Sequence, residues 1–67
     1  MINPKYPEIY VGLAGTDGNA FAVIARVCLA LRRAGIDRKE IASFTTEVTT
    51  GDYDHVLTTA MRWVNVD

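Results

Sequence analysis

The sequence predicts a mainly α fold, a three-helix bundle with one N-terminal strand in the order β-α-α-α. Three observations lead there. Residues 8–14 alternate at the period of a β-strand, and residues 19–34 carry an almost continuous apolar helical run. Beyond Gly35, two shorter helical patterns each follow an aspartate in N-cap position, Asp37 and Asp52.

Length and composition bound what such a chain does. Its 67 residues form one small domain, 1–67, near the lower limit for folding without covalent staples. With 49% apolar and 22% charged residues the composition is that of a globular rather than a disordered chain. The single cysteine excludes an internal disulfide and a four-cysteine zinc site, and so favours a cytoplasmic location. A net charge of −1 gives the whole molecule no strong attraction to nucleic acid or to a membrane.

Residues 1–7 contain Pro4 and Pro7 and read as a frayed arm. In the strand at 8–14, Ile9, Val11 and Leu13 face one way and Tyr10, Gly12 and Ala14 the other. A lone strand leaves its N–H and C=O groups without partners. The chain offers one internal candidate, a short C-terminal strand at 64–67; the alternative is another copy or another protein.

The helix at 19–34 is the centre of the design. Phe21, Ile24, Cys28 and Leu31 form one stripe, Val23, Val27 and Ala30 widen it, and Ala22, Ala25 and Leu29 add apolar surface behind. Arg26 is the one charge between Ala20 and Leu31, and it cuts a run already short of the roughly 20 residues a membrane span needs. No basic segment precedes the run and no small-residue cleavage site follows it, so it does not read as a signal peptide. Asp17 or Asn19 suits the N-cap, Arg32 and Arg33 suit the last turn, and Gly35 suits the left-handed position after it. Cys28 in this stripe reads as a small core residue rather than a reactive thiol.

The second helix, 37–49, opens on Asp37 with Glu40 three residues on, the spacing of a capping box, and Ile36 and Ile41 sit where a hydrophobic staple would. Ile41, Phe44 and Val48 form its buried face. The threonines are poor helix formers, so packing must hold it. Thr50-Gly51-Asp52 is a stop and restart. In the third helix, 52–64, Tyr53, Val56, Leu57, Ala60, Trp63 and Val64 share a face.

Two resemblances attach to these motifs. From Leu31 to Val64, the Leu31-Arg-Arg-Ala-Gly-Ile36 corner and the Thr50-Gly-Asp-Tyr turn leading to Arg62-Trp-Val64 resemble a UBA-type three-helix module, which implies a helical topology. Asp17-Gly-Asn-Ala-Phe-Ala22, Leu31-Arg-Arg-Ala-Gly35, Gly51-Asp-Tyr-Asp-His55 and Met61-Arg-Trp-Val64 resemble a family of small bacterial and phage proteins to which no activity attaches. That resemblance implies a phage or mobile-element origin and transfers no catalytic residue.

Candidate chemistry is sparse. Asp52 and His55 are spaced to share a helix face as carboxylate and imidazole ligands, with Asp17 the one suggestive third ligand; capping and dipole roles explain Asp52 and Asp54 more simply. Gly15-Thr-Asp-Gly18 is neither a Walker loop nor a dinucleotide fingerprint. Arg26, Arg32, Arg33, Arg38 and Lys39 concentrate the basic charge, with a solvated, salt-bridged face as the default reading and nucleic-acid contact as the alternative. A chain this small leaves little room for a pocket of the usual roughly 300 Å³ or more. The expectation is therefore no catalytic residue, no metal and no cofactor. It is a small cytoplasmic protein acting by protein–protein contact or regulation, as a homodimer joined through the 8–14 strand. Ile9, Val11, Leu13, Val23 and Ala30 would form the contact. A nucleic-acid-binding accessory protein using the arginine patch is the second reading, and a metal-dependent enzyme at Asp52 and His55 a weaker third.

Overall fold

The computed structural model describes residues 3–13, 15 and 18–66. Along the chain run strand β1 (Tyr6–Val11), helices α1 (Ala20–Arg33), α2 (Arg38–Val48) and α3 (Tyr53–Trp63), and strand β2 (Val64–Val66). The β-α-α-α order read from the sequence is the observed one, with the short C-terminal strand present as well.

Each helix begins and ends where a local hydrogen bond requires. The Asn19 carboxamide accepts from the N–H groups of Phe21 (2.9 Å) and Ala22 (3.4 Å), satisfying donors that the first helical turn leaves open. Asp17, the other N-cap candidate, lies outside the described residues, as do Ala14 and Asp67 at the ends of the expected strands. At the far end of α1, Ile36 N–H donates to Leu31 C=O and Gly35 N–H to Arg32 C=O. This is a Schellman turn, and it needs the left-handed φ of +79° that Gly35 supplies at little cost. Asp37 and Asp52 then cap α2 and α3 through the N–H groups of Lys39 and His55.

The threonines of α2 also find a role. Thr45 and Thr49 turn their hydroxyls back on the carbonyls of Ile41 and Thr45, and Thr50 bonds Glu47 C=O beyond the last turn. That same carbonyl accepts from His55 Nε2 at 2.8 Å, so the ring nitrogen carries the proton there. Gly51 makes room for the ring, because a Cβ at that position would lie 2.8 Å from His55 Cβ and Cγ. His55 thus ties the end of α2 to the first turn of α3.

Val23, Val27 and Leu31 of α1 meet Phe44 and Val48 of α2, Val56, Ala60 and Trp63 of α3, and Ile9, Val11 and Val64 of the strands. The buried stripe of α1 is spaced i, i+4, i+8, and it differs from the expected one. Phe21 is 81% exposed, while Ile24 and Cys28 are half-buried. At about 100° per residue, Phe21 stands on nearly the opposite side of the helix from Val23. A helix apolar on every side does not announce which side its neighbours cover.

β1 pairs with β2 in parallel, aligning Tyr6 with Val64, Tyr10 with Asn65 and Val11 with Val66, with an irregularity between Tyr6 and Tyr10. The strand lies two residues upstream of the expected start at Glu8 and contains Pro7, which an edge strand tolerates. The Asn65 carboxamide donates to Pro7 C=O across the irregular stretch. Nor is the segment before β1 frayed from Lys5 onward. Lys5 N–H donates to Arg62 C=O, its ammonium bonds Glu40 and lies 4.6 Å from the centre of the Trp63 ring, and Tyr6 hydroxyl donates to Glu40 at 3.0 Å. Trp63 packs edge-on to Phe44 at 5.4 Å between centroids, stands 6.1 Å from Tyr6, and reaches Glu47 with its indole N–H. Glu40 is therefore drawn away from the capping box expected with Asp37, because an ammonium and a phenol outcompete a backbone N–H for its carboxylate.

This seam titrates at both ends. The Lys5 ammonium, and after it the Tyr6 hydroxyl, hold the Glu40 carboxyl below its ordinary value, and the same bond raises the Lys5 ammonium. Desolvation first, and then the bond to Glu40, raise the Tyr6 phenol. Glu40's contribution is complete above the ordinary glutamate value and is lost as pH falls through its lowered one; that of Lys5 is complete below the ordinary lysine value and is lost as pH rises through its raised one. The Tyr6 ring resonances are expected to hold steady between these limits and to move at acid pH as Glu40, which accepts from the Tyr6 hydroxyl, protonates. In Glu40→Gln that acid step disappears; a step unchanged in the variant would show that Glu40 does not hold the seam.

Candidate interaction surface

Pairing with β2 occupies one edge of β1, and among the described residues no third strand covers the other. Beside this strand lies an open groove of about 550 Å³, walled on one side by Glu8–Gly12 and on the other by α1. The α1 wall is Arg26, Leu29, Ala30, Arg33 and Ala34. Arg26 donates to Gly12 C=O at 2.8 Å, which ties helix to strand at one end of the groove. Tyr10 is 75% exposed and Leu29 46%. Exposed apolar side chains thus stand beside a strand edge that no described strand pairs.

The residues expected to make the contact divide between core and groove. Ile9 and Val11 point into the core with Val23, which is fully buried, so their side chains are spent within this chain. β1 therefore offers its backbone edge rather than those side chains. Ala30 lines the groove, and Leu13 packs half-buried against the core. Tyr10 and Leu29, absent from the expected contact, line the groove; Tyr10's outward place in the strand alternation and Leu29's place behind the main stripe of α1 were the available signals.

The expected basic patch also divides, because α1 separates its members. Arg26 and Arg33 line the β1 groove, while Arg32 and Arg38 line a second hollow of about 450 Å³ with Ile36 and Ile41. Lys39 lines neither. Among the described residues the Lys5–Glu40 ion pair lies away from Arg32, Arg33, Arg38 and Lys39, and Arg26 is held at Gly12 C=O. Both hollows are open surface grooves formed where elements meet.

The remaining candidates have structural partners. Asp52 caps α3 through His55 N–H, while the His55 ring turns away to Glu47 C=O, so the two side chains do not converge. Among the described residues no group of three histidine, cysteine, aspartate or glutamate side chains is placed to hold a metal ion, and Asp17 lies outside those residues. Cys28 is half-buried with its sulfur 3.7 Å from Thr45 Oγ1. Among the described residues no helix is long and apolar enough to cross a membrane. Comparison with protein-family models, with curated proteins and with solved structures gives no match.

The orientation of α1 is directly testable. Phe21→Ala is expected to change stability by no more than about 0.5 kcal/mol, as at an exposed site. Leu31→Ala is expected to cost about 2–5 kcal/mol, as in a packed core. Urea unfolding of both variants checks this; equal losses would place Phe21 in the core.

Proposed function

We propose that this chain is a small protein-interaction module, acting by contact rather than catalysis, whose groove between β1 and α1 is the contact surface and whose first partner is a second copy of itself. The observation that carries this reading is the uncovered edge of β1 lying beside the exposed side chains of Tyr10 and Leu29. A strand edge with free backbone groups binds another strand through main-chain hydrogen bonds, and the flanking side chains supply apolar area.

Charge favours a second copy as the occupant. A twofold contact places the same patch on both partners, so the patch must contain both members of every complementary pair. This groove does, with Glu8 on the strand wall and Arg26 and Arg33 on the helix wall. The twofold pairing of strands is then antiparallel across the axis, on the opposite edge of β1 from its parallel partner β2. Apart from Glu8, Tyr10 and the two arginines, the groove is lined by backbone and aliphatic side chains, which suits docking better than bond-breaking. A cytoplasmic setting rests on the free cysteine.

Light scattering across a concentration series tests the reading. The wild-type chain is expected to show twice the one-chain mass. Leu29→Glu, which puts a charge into the groove at an exposed helical site, is expected to shift it to one chain without loss of helical circular dichroism. A monomer at all concentrations, or a dimer indifferent to Leu29→Glu, would contradict it.

A further inference from the structure

We propose that the α1–α2 corner is a second and separate docking site, built for an acidic segment of another protein that presents an aliphatic side chain between carboxylates. The site is the hollow of about 450 Å³ lined by Arg32, Ile36, Arg38 and Ile41. Its shape follows from the Schellman turn. Gly35 reverses the chain at the end of α1, so Ile36 and Ile41 come to line the same hollow, half-buried, with exposed Arg32 and Arg38 beside them.

The charge of this corner is uncompensated. Among the described residues neither Arg32 nor Arg38 has an ion pair or a hydrogen-bonded side-chain partner, although two acidic residues stand close in sequence. Both acids are committed elsewhere. Asp37 Oδ1 accepts from Lys39 N–H at the cap of α2, and Glu40 is held by Lys5 and Tyr6. Two guanidinium groups beside an aliphatic floor complement carboxylates flanking one apolar side chain, and arginine forks bind carboxylates with two parallel bonds.

The same features disfavour nucleic acid as the occupant. Two cations neutralise about two phosphates, which gives little of the electrostatic affinity such binding rests on. Among the described residues the floor has no aromatic ring on which a base could stack. Arg26 and Arg33, which would extend the patch, line the β1 groove instead. The corner is thus independent of the proposed dimer contact and remains available if that contact fails.

The test uses the full chain and a short fluorescein-labelled peptide in which one leucine is flanked on each side by glutamates, followed by fluorescence anisotropy. Saturable binding is expected. Arg32→Glu and Arg38→Glu should each weaken it by about tenfold or more, the scale of one lost charge-assisted bond. Arg33→Glu, in the other groove, should leave it unchanged, as should Leu29→Glu. Peptides with glutamine for glutamate or alanine for leucine should bind at least several-fold more weakly. Should a charge-reversed variant lose its helical circular dichroism, Arg32→Gln and Arg38→Gln replace it with the same expectation. No saturation at millimolar protein, equal loss from Arg33→Glu, or tighter binding of a labelled single-stranded oligonucleotide would each overturn the proposal.

Discussion

The fold depends on one hydrogen-bonded pairing, between the strand that begins the described chain and the three-residue strand that ends it. β1 carries Ile9 and Val11 into the core, and its backbone groups need partners before those side chains can be buried. β2 supplies them because Trp63, at the last turn of α3, is held from several sides. Phe44 meets one edge of its ring, Lys5 covers a face, Tyr6 lies beside it, and Glu47 accepts its N–H. A residue held this firmly delivers Val64–Val66 to β1 in one register. Local helix signals fold the middle of the chain, whereas a contact between sequence-distant segments closes it.

The same closure leaves something open. Two strands cannot cover each other's outer edges, and the helices beside this pair cover only part of α1. The exposed side chains of Phe21, Tyr10 and Leu29 are therefore a consequence of how few elements surround a central helix apolar on every side. In a larger domain another strand or helix would take that place. In this chain it is the place we propose for a second copy. The α1–α2 corner is a different kind of surface. Among the described residues Arg32 and Arg38 have no carboxylate partner, since Asp37 caps a helix and Glu40 anchors the N-terminal segment.

Much of this architecture was legible in the sequence. Asp37 and Asp52 marked two helix starts, the Asp17–Asn19 turn the third, and Gly35 the turn after α1, because capping is local chemistry confined to a few adjacent residues. What was not legible depends on distant contacts. The true start of β1 was hidden by Pro4 and Pro7, which suggest an unstructured arm until Lys5 and Tyr6 are seen docked on Glu40 and Trp63. Glu40 was misassigned to a capping box for the same reason. The buried side of α1 was ambiguous because Phe21 and Val23 are equally apolar and only their neighbours distinguish them. The division of the arginines followed from that orientation, so the patch that seemed continuous in sequence lies on two sides of a helix.

The most direct test of the central claim is amide hydrogen exchange along residues 6–11 measured over a range of protein concentrations. The strand amides directed at β2 are expected to be protected at every concentration, because their acceptors lie within the same chain. Those on the opposite edge are expected to gain protection only as the concentration rises and a second copy covers them. If every β1 amide lost protection on dilution, the strand would depend on another molecule and the pairing with Val64–Val66 would not hold the fold. If no amide responded to concentration, the open edge would not be where copies of this chain meet.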